Sequence, residues 1–129
     1  MNLLYVNDET NRYPQNSWYT ATSELLDSFE PLNNDISADV AIIGGGYAGL
    51  SAGLFLAEAG VNTVLLEAQK VGFGASGRNG GQLGAGQRMD QRDLIKLVGD
   101  NLGDQLWFLA EEAIDTVKNL IAKNEINCF

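Results

Sequence analysis

Between residues 39 and 67 the apolar positions fall into two short runs flanking a longer one, and this pattern predicts strand, helix and strand. Asp39-Val40-Ala41-Ile42-Ile43 is nearly continuous in apolar character and ends at a glycine, as expected of a strand covered on both faces in a parallel sheet. From Tyr47 to Ala59 the residues are good helix formers, Glu58 is the only charge, and Gly60 follows as a C-terminal stop. Asn62-Thr63-Val64-Leu65-Leu66 then reads as a second buried strand ending at Glu67. Three such elements within about 30 residues make a βαβ unit, so the fold class is α/β with parallel strands.

Helical periodicity returns further along. Asp90 to Val98 predicts a short helix with Leu94, Leu97 and Val98 on one side. Between Leu102 and Lys123 the residues Leu102, Leu106, Leu109, Ala113, Val117, Leu120 and Ile121 recur at helical spacing, which predicts an amphipathic packing helix. Residues 1–35 are polar and aromatic without a sustained period and contain Pro14 and Pro31, so they predict an extended amino-terminal arm; residues 36–129 are then the domain.

Composition narrows the chemistry. Of 129 residues, 45% are hydrophobic and 19% charged, which excludes wholesale disorder. A net charge of −9 would repel nucleic-acid phosphates and anionic lipid head groups, so neither is an expected partner. With one cysteine, Cys128, and no histidine, the chain forms no internal disulfide and carries neither a Cys/His zinc cluster nor a His-based triad. Met1 to Tyr5 lacks a basic region, and no run reaches the roughly 18 apolar residues of a membrane span, so a soluble cytoplasmic protein is expected. Thirteen of the fifteen glycines lie between residues 41 and 86, where charge is sparse and balanced. Function is sought there.

Gly44-Gly45-Gly46-Tyr47-Ala48-Gly49 matches G-x-G-x-x-G, directly after a predicted strand and at the start of a predicted helix, the context that gives this motif meaning. Gly44 permits a tight turn, Gly46 lets a pyrophosphate approach the backbone, and Gly49 lets helix and strand pack closely. Free N–H groups and the helix dipole favour an anion there without a basic side chain. Glu67, at the end of the second strand, can accept hydrogen bonds from both hydroxyls of an adenosine ribose, and its charge disfavours the 2′-phosphate of NADP. Together these features predict dinucleotide binding.

A second motif, Gly74-Ala75-Ser76-Gly77-Arg78-Asn79-Gly80-Gly81-Gln82, is a loop of small residues with one charge. It can bring main-chain N–H groups against a large planar anionic ligand, with Arg78 able to neutralise a phosphate or reduced flavin and Asn79 or Gln82 able to bond ring heteroatoms. Composition alone leaves open an ordinary surface loop with a solvated arginine.

The segment Asp39 to Glu67, the run Val71 to Gln82 and, more weakly, Ser17-Trp18-Tyr19 and Ile126-Asn127-Cys128 resemble the FAD-dependent D-amino-acid oxidase-like oxidoreductases, and within them the gamma-glutamylputrescine oxidoreductases. The resemblance implies that FAD is the cofactor, that Gly44, Gly45, Gly46, Tyr47, Ala48 and Gly49 hold its pyrophosphate, and that Glu67, with Ala68 beside it, holds the adenosine ribose. It assigns Ala75, Ser76, Arg78, Asn79, Gly80, Gly81 and Gln82 to the pyrophosphate and flavin side. It further implies hydride transfer from the carbon next to a small-molecule amine to the flavin, with oxygen as final acceptor. Members of that family are far longer and carry a separate substrate domain. The 129 residues are therefore expected to form an incomplete Rossmann-like FAD-binding unit with exposed apolar surface, an inactive amino-terminal fragment without a substrate pocket or an assignable catalytic base. Two alternatives stay open: a stand-alone or partner-completed dinucleotide-binding module without catalysis, and an NAD dehydrogenase of another family, which the second loop disfavours.

Overall fold

The computed structural model describes residues 17–24, 26 and 29–128. Pro14 and the rest of the arm before Ser17 lie outside the described residues. The described elements are α1 (Trp18–Thr22), β1 (Val40–Ile43), α2 (Tyr47–Glu58), β2 (Thr63–Leu66), a 3-10 turn at Ala75–Gly77, α3 (Gln91–Val98) and α4 (Asp100–Lys123). The chain divides into two compact units, one up to Gly80 and one from Gly81 onward. The described part of the arm is not extended throughout, since α1 interrupts it with a helical turn in which the Thr22 hydroxyl donates to the Trp18 carbonyl at 2.9 Å.

The first unit is the predicted βαβ. Strands β1 and β2 pair in parallel, Val40 opposite Thr63 and Ile43 opposite Leu66. The ladder is closed at one end by Asn62, whose carbonyl accepts from Asp39 N–H at 2.8 Å and whose own N–H donates to Asp39 Oδ2 at 3.2 Å. At the other end Gly44 N–H donates to the Leu66 carbonyl at 2.8 Å. Helix α2 stops where Gly60 predicts: with φ at +77°, Gly60 donates to Ala57 O at 3.0 Å and Val61 to Leu56 O at 3.0 Å, a Schellman closure that the left-handed glycine makes possible.

Helix α2 lies over Ile42 and Leu65, register partners on one face of the sheet. Strand β1 was expected to be covered on both faces, and here the structure differs: Val40 and Ile42 are half-buried while Ala41 and Ile43 are exposed, Ile43 to 79%. A two-stranded sheet with one helix on it covers only the face that the helix occupies. Helix α2, apolar around its circumference, correspondingly has no fully buried residue, and Tyr47 and Phe55 are exposed.

In the second unit α3 begins at Asp90, whose carboxylate caps it by accepting from Arg92 N–H at 2.9 Å. Helices α3 and α4 pack against each other, and Leu94 of α3 and Ala110 of α4 are the two buried hydrophobic residues among those described. Their close approach is set by Gly103, where a Cβ would stand 2.6 Å from Ile95 Cγ1, and Gln91 Nε2 crosses to the Gly103 carbonyl at 2.9 Å. The predicted stripes shift accordingly. Leu97, Leu102, Leu109 and Ala113 are exposed, whereas Gly103 and Ala110 are buried, because small residues allow the backbones to approach and larger neighbours are displaced to the flanks. Among the described residues no helix is long and apolar enough to cross a membrane.

Candidate cofactor site

Strand β1 ends on a turn that only a few contacts hold in place. Gly44 has φ at +102°, a conformation that side chains rarely adopt. Gly45 is buried; its N–H donates to Glu67 Oε2 at 2.6 Å and its carbonyl accepts from Gly72 N–H at 2.8 Å. Gly46 precedes the first helical residue, and a Cβ there would stand 2.9 Å from Ser76 Oγ. A Cβ on Gly49 would fall on the Gly44 carbonyl oxygen, so the glycine is needed for the helix to sit this close to the strand end.

The carboxylate of Glu67 therefore lies at the bend rather than far from it. Its two oxygens are both engaged, Oε2 by Gly45 N–H and Oε1 by Gln69 N–H at 2.9 Å, so Glu67 ties the end of β2 to the glycine turn. A carboxylate offers about four acceptor sites, which leaves capacity for hydroxyl donors beside these two bonds. This structural part of Glu67 was not legible from spacing, which marked the residue only as a ribose ligand.

The second motif folds back onto the helix start. Ser76 Oγ accepts from Tyr47 N–H at 3.0 Å and so takes one of the orphan donors of α2. Asn79 Nδ2 reaches Tyr47 Oη at 3.2 Å, the Ala75 carbonyl at 3.1 Å and the Ser76 carbonyl at 2.9 Å, which locks the loop against the same helix end. Arg78 is held elsewhere: Nε donates to the Phe73 carbonyl at 2.7 Å and the guanidinium lies 4.4 Å over the Phe73 ring. Ala68, Ala75 and Gly80 are exposed. Gly81 and Gln82 open the second unit, so the residues of the second motif are divided between the two units. Gly72, Gln69 and Phe73 anchor the turn, Glu67 and Arg78; Gly72 and Phe73 belong to the run that carries the resemblance but were given no role in the site, and Gln69 stands between the motifs without a pattern of its own.

The residues fit an ADP-containing cofactor. Among the described residues the N–H groups of Gly46, Ala48 and Gly49 have no hydrogen-bond partner, at the start of a helix whose dipole favours negative charge. Diphosphate oxygens are the ligand chemistry that such donors take. Sugar hydroxyls are what a carboxylate takes, and Glu67 adjoins the same bend.

Residues 39–129 match the family model described as DAO, FAD dependent oxidoreductase. The chain is 41% identical over 112 residues to the gamma-glutamylputrescine oxidoreductase of Escherichia coli (strain K12), covering 87% of this chain and 26% of that protein. It is 45% identical over 112 residues to the probable oxidoreductase OrdL of Haemophilus influenzae, covering 87% of this chain and 26% of the relative. It is 44% identical over 100 residues to the OrdL of Rhizobium meliloti (strain 1021), covering 78% and 23%. The chain thus spans about a quarter of the length of the curated relatives it matches. No solved structure matches it significantly. The match over residues 39–129 takes in both glycine motifs and Glu67, and the chain belongs to the DAO family of FAD-dependent oxidoreductases.

Proposed function

We propose that this chain provides the ADP-binding part of the FAD site of an oxidoreductase that acts on the C–N bond of an amine resembling gamma-glutamylputrescine, with oxygen as electron acceptor. The observation that carries this reading is the junction of Glu67 with the glycine turn, 2.6 Å from Oε2 to Gly45 N, beside the N–H groups of Gly46, Ala48 and Gly49, which have no partner among the described residues. In this assignment Gly44 to Gly49 hold the pyrophosphate and Glu67, with Ala68 beside it, the ribose. Ala75, Ser76, Arg78, Asn79, Gly80, Gly81 and Gln82 serve the pyrophosphate and flavin side. When bound, FAD supplies the acceptor for the hydride that leaves the carbon next to the amine. The chain's own residues bind and orient: the amides grip the anion, Glu67 fixes the sugar, and Ser76 and Asn79 keep the helix start and the loop in register.

The 129 residues by themselves are proposed to bind FAD weakly and to turn nothing over, because Ala41 and Ile43 of β1 and much of α2 stay open to water. The test is a flavin-fluorescence titration of the chain with FAD, followed by a peroxide assay with gamma-glutamylputrescine. Weak saturable binding and no peroxide are expected; peroxide production at enzymatic rates would overturn the inactive-fragment reading, and equal affinity for NAD would overturn the flavin one. The exposed Ile43 beside the open face favours one further reading, in which another chain completes the sheet of a non-catalytic module. Gel filtration with and without FAD distinguishes a compact, saturable module from a self-associating fragment.

A further inference from the structure

Within the first unit a cavity of about 590 Å³ adjoins Glu67, and its lining is shared between the end of β2 with the segment after it, Leu50 of α2 and the amino-terminal arm. Phe29, Pro31 and Leu32 line it together with Glu67, Ala68 and Val71. Phe29 is the unusual member, since its ring belongs to a largely apolar recess and yet is 77% exposed. A flat aromatic surface left uncovered beside such a recess is what a planar ligand requires.

The location indicates which planar ligand. A ribose held by Glu67 through its 2′ and 3′ hydroxyls carries its base on C1′ of the same ring, so the base lies next to the carboxylate, and this is the cavity that Glu67 lines. Binding sites of this kind pair apolar walls with a few polar groups, here Glu30, Glu67, Gln69 and Lys70. We propose that residues 29–32 of the arm form the outer wall of the pocket for the adenine of the cofactor, with Phe29 as its stacking surface. The inference rests on the dinucleotide reading given above and adds to it a segment that lies before the residues matched to the family. It makes residues 29–32 of the arm a cofactor-positioning element.

The test compares ADP with inorganic pyrophosphate, which lacks sugar and base, by NMR chemical-shift titration of the 129-residue chain at millimolar ligand. Phe29→Ala is expected to weaken ADP about tenfold, in the range of base stacking on an aromatic ring, and to leave pyrophosphate unchanged, while Phe29→Trp retains ADP. Gly46→Val, which crowds Ser76, is expected to abolish both ligands. If Phe29→Ala leaves ADP unchanged, or weakens both ligands equally, while Gly46→Val abolishes them, the role of the arm is overturned and the dinucleotide reading stands. If the wild-type chain binds neither ligand, or Gly46→Val alters neither, the dinucleotide reading fails and the inference fails with it.

Discussion

Two glycines of α2, one turn apart, are expected to respond to alanine with opposite signs. At Gly49 a methyl group would fall on the Gly44 carbonyl oxygen, approach Gly44 C at 3.1 Å and stand 3.3 Å from Ile42 Cγ2. The obstacle is backbone at a bend pinned by the Gly44 to Leu66 hydrogen bond, so it cannot be relieved by a rotamer change. The helix start must move away, which stretches the 3.0 Å bond from Tyr47 N–H to Ser76 Oγ. Overpacking of this kind costs about 3 kcal/mol, the upper end of its usual range, because nothing flexible yields. Against it stands a gain of about 1 kcal/mol from alanine's better helix propensity. The net effect of Gly49→Ala is a loss of about 2 kcal/mol. At Gly53 the added methyl would lie 3.5 Å from Ile42 Cδ1 and 3.9 Å from Leu65 Cδ1, ordinary contact distances, so the propensity gain is kept. Gly53→Ala therefore stabilises by about 1 kcal/mol, and the two variants differ by about 3 kcal/mol. Urea titration followed by far-UV circular dichroism reads both. A Gly49→Ala chain as stable as the wild type, or a shift of the same sign for both variants, would refute the close approach between α2 and the end of β1.

Other contacts make separate predictions. Glu67→Ala strips the acceptor from the buried Gly45 N–H and from Gln69 N–H, at a cost of about 2 kcal/mol, and the Gly45 amide should then exchange with deuterium much faster; unchanged protection there would show that the carboxylate does not hold the turn. Ser76→Ala removes the acceptor for Tyr47 N–H at a cost of about 1 kcal/mol and should expose the loop to trypsin after Arg78, whereas an unaltered cleavage rate would mean that the loop is held by other contacts. Glu125, at φ +52°, occupies the left-handed position just past α4, where Ile126 N–H donates to Ile121 O at 3.0 Å. Glu125→Gly relieves a strain of about 1 kcal/mol and should raise the urea midpoint of the second unit; a lowered midpoint argues against that helix ending.

The strand, turn, helix and strand of the first unit were legible in the sequence because each depends on local rules: continuous apolar runs, a glycine pattern after a strand, and a glycine that ends a helix. Glu67 was legible as a candidate for the same reason, its distance from the turn being a property of the βαβ path. Whether each apolar residue is covered was not legible. Ile43, Leu97 and Leu109 fit apolar stripes and are nevertheless exposed, while Gly103 and Ala110, which carry little hydrophobic signal, are buried, Gly103 in the contact between α3 and α4. Coverage depends on which surfaces come together and how closely two backbones approach, and neither is encoded in the period of one element. The division of labour at the site has the same origin. Only the tertiary structure ties Glu67 to Gly45 and Ser76 to Tyr47, because each pair joins segments whose meeting depends on the parallel register of β1 and β2 and on the loop that follows.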